Sequence, residues 1–290
     1  MKSQGITSDI TFKEQASMNT RIISVLNQKG GSGKTTTAIN IASAWARLLA
    51  QDGYGDEPAV LLIDIDPQAS ATSVVLGMEA AVGPRHVGAN TVYEVLLQQA
   101  EAAAAIQTVE MEPAPHLPTA LLDVLPSHLE LFRADNELSS VYKREMRLRK
   151  ALRPLQDVYD AIIIDCPPSL GVLTLNALAA STEAIIPVDP GVFPLIGLNM
   201  LRDIIRMIQE DNSALRIGGV IPTMQDRTVL SRDTIDQLEA GFTGLVLPPV
   251  PRRVAVGEAH AEGVDIFVSA PDSDAAAAYL QITQELMNHG

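Results

Sequence analysis

The chain has 290 residues, of which 47% are apolar, and a formal net charge of −14. The apolar share excludes a disordered chain, and the single cysteine, Cys166, excludes an internal disulfide, a cysteine-built zinc site and an iron–sulfur cluster ligated within one chain. No apolar run reaches the roughly 18 residues of a membrane span, and the acidic balance leaves only a local basic face as a route to nucleic acid.

Residues 1–20 read as a polar tail without the apolar stretch of a signal peptide, and 21–290 as one domain. A buried strand is expected at 21–26 (RIISVL), then a glycine-rich loop at 27–35. Ile39, Ala42, Ala46 and Leu49 recur at helical spacing, which predicts a helix from 36 to about 49. A second strand is expected at 59–65 (AVLLIDI). Beyond 78 the pattern weakens: a helix is read near 92–106, a proline-rich loop at 110–118, a strand at 121–125 and two helical pieces within 129–152. Strands follow at 161–164, 184–188 and 217–222, with a short one at 245–247. Helices are expected at 174–180, 197–210, 231–240 and, capped by Ser273, from there to about 287. Short, continuously apolar strands alternating with helices indicate parallel pairing covered on both faces. The expected fold is therefore α/β: a single doubly wound, mostly parallel sheet with helices on both sides.

The most informative stretch is 29–35 (KGGSGKT), which follows one expected strand and opens one expected helix. Glycines there let backbone N–H groups turn onto phosphate oxygens, and the helix N-terminus adds partial positive charge. Gly30, Gly31, Ser32, Gly33 and Thr36 form this cradle, Lys34 is placed to reach the β- and γ-phosphates of a nucleotide, and the Thr35 hydroxyl to ligate Mg²⁺. Asp165 ends an apolar strand, where an acid can hold Mg²⁺ directly or through water. Asp64 and Asp66 end the neighbouring strand and are expected to point to opposite sides of it. Cys166 reads as a small apolar filler.

One position departs from the usual phosphate loop. The pattern begins with glycine five residues before Gly33; here that position is Gln28, and Lys29 follows. This lysine-bearing form resembles the deviant Walker A box of the ParA/MinD group of P-loop ATPases. The stretches 61–73 (LLIDIDPQASATS), 162–176 (IIIDCPPSLGVLTLN), 223–232 (TMQDRTVLSR) and 251–263 (PRRVAVGEAHAEG) resemble further segments of the ParA/Soj branch. The resemblance thus spans nearly the whole chain and implies the P-loop NTPase fold and a weak Mg²⁺-dependent ATPase.

By that resemblance Asp66 positions the attacking water, Asp64 supports the magnesium shell, and Lys29 reaches the nucleotide of a second subunit in an ATP-sandwich homodimer, much as an arginine finger acts in trans. Pro251 matches a proline set against adenine. Arg253 stands where the family has asparagine, so it is read as a changed hydrogen bond or a cation stacked on the base. The resemblance further implies non-specific double-stranded DNA binding through Arg206 and Arg227, with Arg202, Arg232, Arg252 and Arg253 as additions. It also implies release on ATP hydrolysis stimulated by a ParB-type adaptor, and a cytoplasmic, nucleoid-associated place. The basic cluster at 143–153 reads as a solvated helix rather than a DNA surface, and the resemblance leaves a role in binding the ParB-type adaptor open. A MinD-like membrane cycle is the alternative; it needs a basic C-terminal amphipathic helix, and no Lys or Arg follows Arg253, so no membrane partner is expected.

Overall fold

The computed structural model of the protein describes residues 20–54, 57–82, 90–191 and 194–288. Seven strands form one sheet in the order β3-β4-β2-β5-β1-β6-β7. They are β1 (Arg21–Val25), β2 (Val60–Asp64), β3 (Gln107–Glu110), β4 (Leu121–Leu125), β5 (Ala161–Asp165), β6 (Glu183–Val188) and β7 (Arg216–Pro222). All neighbours are parallel except the edge pair β3 and β4.

The central strands are apolar throughout because both faces are covered. Ile22, Leu61 and Ile162 pack with Leu148, Leu152, Ala177 and Leu201 on one side of the sheet. Their chain neighbours Ile23, Leu62 and Ile163 pack with Ile39, Trp45, Tyr279 and Ile282 on the other. On that second side helix α1 (Lys34–Gln51) runs against the final helix, Asp274–Asn288. Ser273 does cap that helix: its Oγ accepts from Ala276 N at 3.1 Å.

Four expectations need correction. The helix read at 92–106 starts on a Thr91–Glu94 capping box but stops at Leu96, because Gln98 takes a left-handed conformation. A one-turn helix, Ala102–Ala105, and then the unforeseen β3 follow. The region 129–152 holds four short helical pieces rather than two, broken again by a left-handed Lys143. The strand at 245–247 is only an isolated bridge from Val246 to Val220. Helices Val254–Glu262 and Ile266–Ser269 were not foreseen. Residues 1–19 of the expected tail lie outside the described residues, and no described helix is long and apolar enough to cross a membrane.

Candidate nucleotide-binding site

Strand register assembles the site. Val25 and Asp64 both pair with Asp165, one from each side, so the ends of β1, β2 and β5 lie together. Ligands of open parallel sheets collect at this carboxyl edge. The loop leaving β1 turns into α1 through Gly31 and Gly33, at φ of 75° and 87°. L-residues rarely adopt that conformation, so glycine is required at both positions. Gly33 is the N-cap of α1 and offers no side-chain acceptor, and the first turn has no acid. The N–H groups there are free to meet an anion. Thr223 Oγ1, at the end of β7, donates to Ser32 O at 2.9 Å and holds the loop down.

Lys34 is buried on this loop, and its Nζ donates to Lys29 O at 3.1 Å. Burial lowers its pKa, while Asp165 and Asp66 oppose the shift. Burial pushes Asp165 well above the carboxylate range; Asp64 adds to this, and Thr35 and Lys34 oppose it. Neither Asp165 oxygen has a hydrogen bond of ordinary geometry among the described residues, and the buried Ser32 hydroxyl has none either. An orphaned carboxylate beside the Thr35 hydroxyl is a hard-oxygen donor set, which suits Mg²⁺. Cys166 is fully buried and its thiol is pushed up by that burial, so it is inert filler.

Strand alternation does not set Asp64 and Asp66 on opposite sides. Residues two apart in a strand share a face, and the strand ends at Asp64. Asp64 Oδ1 accepts from Asp66 N at 3.0 Å, and Oδ2 accepts from both N and Oγ1 of Thr72 at 2.8 Å. Oδ2 is thereby saturated. Asp64 is thereby fixed to the turn that follows β2. Burial raises its pKa to about 6, against the pull of the Thr72 and Asp66 hydrogen bonds. Asp66 Oδ1 accepts from Gln68 N at 2.9 Å, and its backbone carbonyl accepts from Ser127 Oγ at 2.7 Å. Asp66 is thus held by the Gln68 N–H and the Ser127 hydroxyl, and its charge acts on Lys34.

Beside Gly33 and Thr36 opens a cavity of about 280 Å³ that reaches Pro251, His260 and Tyr279. A parallel bridge between Gln225 and Pro251 sets the proline there. Met224, on the same wall, takes a left-handed φ of 52°, a strain often found at ligand sites. Arg253 lines the cavity, but its guanidinium is paired with Asp274 and with Arg252 O. His260 escaped the sequence reading. Its Nε2 is buried without a partner among the described residues, and burial lowers the pKa of the ring.

Lys29 lies on the exposed rim, with Nζ 2.5 Å from Asp189 Oδ2 just past β6. Arg206 is exposed on the Pro194–Gln209 helix and lies 3.6 Å from Asp203. Arg227 is exposed in the loop before the Val229–Gly241 helix. That loop is pinned by Asp226, whose Oδ1 accepts from Thr228 and Ser231; these bonds bring its pKa down to about 2. Arg202 donates to Gly241 O and lies 4.5 Å over the Phe242 ring. In the basic cluster, Arg144 and Arg149 bind backbone carbonyls of Ser139 and Asp211.

A glycine loop on the first strand-to-helix turn of a parallel sheet, facing acids at the next strand ends, defines a P-loop nucleoside triphosphatase. Residues 20–217 match the family described as an AAA domain. The chain is 39% identical over 273 residues to the sporulation initiation inhibitor protein Soj of Bacillus subtilis strain 168, covering 93% of this chain and 99% of that one. It is 37% identical over 271 residues to the chromosome partitioning protein ParA of Myxococcus xanthus strain DK1622, covering 92% and 88%. Among solved structures, a Mycobacterium smegmatis cobyrinic acid a,c-diamide synthase with bound ADP and magnesium aligns with a TM-score of 0.71 and 33% identity, over 93% and 95% of the chains. The chain belongs to the ParA/Soj family of P-loop ATPases.

Proposed function

We propose that this chain is an ATP-driven partition switch in the cytoplasm, cycling between a free form and an ATP-bound homodimer on nucleoid DNA. The observation that carries the reading is one loop presenting two lysines in different settings: Lys34 is buried among acids, and Lys29 stands on the rim. A single-subunit site needs only the first. An exposed second lysine suits a phosphate that arrives from outside the subunit.

The residues divide the work as follows. The loop N–H groups and Lys34 bind the β- and γ-phosphates of ATP. Asp165 and Thr35 would hold magnesium, which neutralises charge developing on the phosphates. Asp66, fastened by Gln68 and Ser127, orients the attacking water. Pro251 and the cavity around it take the base. Lys29 completes the partner's site, so ATP binding and dimerisation become one event. The dimer doubles the Arg206 and Arg227 surface, which binds DNA phosphates without reading sequence. A ParB-type adaptor stimulates hydrolysis and thereby releases DNA. The Myxococcus xanthus relative is named for chromosome partitioning, and it is more similar in sequence, at 37% identity, than the cobyrinic acid a,c-diamide synthase, at 33%.

A membrane cycle lacks support in the final helix. Ala275, Tyr279, Ile282 and Leu286 are buried in the body of the protein, and the helix bears no lysine or arginine. Lys29→Ala is the test. It should lose ATP hydrolysis and the ATP-dependent dimer in analytical ultracentrifugation; retention of both would overturn the trans role.

A further inference from the structure

The contact between Lys29 and Asp189 has a built look that a chance surface pair lacks. Asp189 directly follows β6, and its side chain is only 15% exposed, against 55% for Lys29. Both partners are held by backbone. Asn27 Nδ2 donates to Pro187 O at 2.7 Å, while Asn27 Oδ1 accepts from Lys29 N at 3.0 Å. One side chain therefore clips the lysine's own backbone to the end of β6. Thr223 N donates to Val188 O at 2.8 Å, and Gly191 N to Thr234 Oγ1 at 3.3 Å, which steadies the acid on its two flanks. The acid is fixed, and the lysine is the member free to leave.

We propose that Asp189 is a positioning residue for Lys29, holding the lysine ammonium within its own subunit until the phosphates of a second subunit's nucleotide replace the carboxylate. The proposal rests on the trans role of Lys29 given above. An ammonium has three donors on a flexible stem and moves readily between anions. It cannot serve Asp189 fully and also reach across a dimer. Closing the dimer therefore exchanges two such pairs, one per subunit, for two lysine–phosphate contacts. A partly exposed ion pair of this kind shifts an equilibrium by a few-fold at most. Since both subunits release one, the shift in the dimerisation constant compounds to about tenfold.

The experiment is ATP-dependent dimerisation by analytical ultracentrifugation, with Asp189→Asn and Asp189→Glu beside wild type. Modification of Lys29 by acetic anhydride is followed in parallel by mass spectrometry on nucleotide-free protein. Asp189→Asn should dimerise at about tenfold lower protein concentration, and its Lys29 should react faster. Asp189→Glu, which keeps the carboxylate, should return both readings toward wild type. Raising salt should narrow the gap, as screening weakens an exposed pair. Wild-type dimerisation with ATP, together with an Asp189→Asn variant that matches it or dimerises less, would overturn the role of Asp189 and leave the ATP dimer standing. Unchanged Lys29 reactivity would do the same. A wild type that stays monomeric with ATP would overturn both readings.

Discussion

Asp64 and Asp165 sit side by side in strand register, both shielded from water, and both with pKa values raised by that burial. A carboxyl group whose folded pKa is raised binds its proton more tightly in the native state. Its contribution to stability is intact below the unfolded value of about 3.9 and is lost as pH rises through the folded value. For Asp64 that loss centres on about 6, and for Asp165 it lies higher. Asp165→Asn should thus raise the melting temperature of nucleotide-free protein, by a few degrees at pH 8 and less at pH 5, while abolishing ATP turnover. Thermal unfolding at the two pH values checks this; a lower melting temperature at both would contradict the repulsion. At this scale the phosphate loop and Asp165 were legible in the sequence. A glycine loop has its own local grammar, and an acid closing an apolar run stands out. Asp189 and His260 were not legible, because a lone acid in a loop or a lone histidine on a short helix acquires meaning only from the β6–β1 pairing or the packing of α1 that brings it to the site.

The turn after β2 is an element whose parts lock one another. Thr72 Oγ1 donates to Asp64 and accepts from Ser127 N, and Ser127 Oγ reaches back to Asp66 O. Here α2 (Ser70–Leu76), β2 and the start of the chain after β4 share one buried hydroxyl. Thr72→Val keeps the volume but strands a buried N–H and removes a donor from a carboxylate, so it should cost about 2–4 kcal/mol in urea unfolding. A loss under about 0.5 kcal/mol would show that the hydroxyl is not what binds these elements. Turnover should fall as well, since Asp66 loses its brace. Strands buried on both faces were readable as apolar runs. The edge strand β3 (QTVE) was hidden because it is covered on one side only and pairs antiparallel after an alanine-rich stretch. The helical breaks at Gln98 and Lys143 were hidden for another reason: left-handed backbone at residues other than glycine leaves no mark in the sequence.

For the whole molecule, a net charge of −14 sets a hard condition on DNA binding. Attraction must come from a small face against repulsion by the rest, and one face from a monomer has too few contacts. In the proposed switch, doubling that face in an ATP dimer would convert weak contacts into binding that the nucleotide controls. Arg206 and Arg227 are both exposed, and the Asp226 clamp holds the loop of the second in place. Replacing either with alanine should weaken binding alike on all sequences and reduce its salt dependence by about one phosphate contact per site. The most direct measurement is binding to a random-sequence duplex at two salt concentrations, without nucleotide, with ADP and with ATP, for wild type and Lys34→Ala. Binding should require ATP, fall steeply as salt rises and vanish in Lys34→Ala. ATP hydrolysis without DNA binding under any nucleotide would contradict the partition switch.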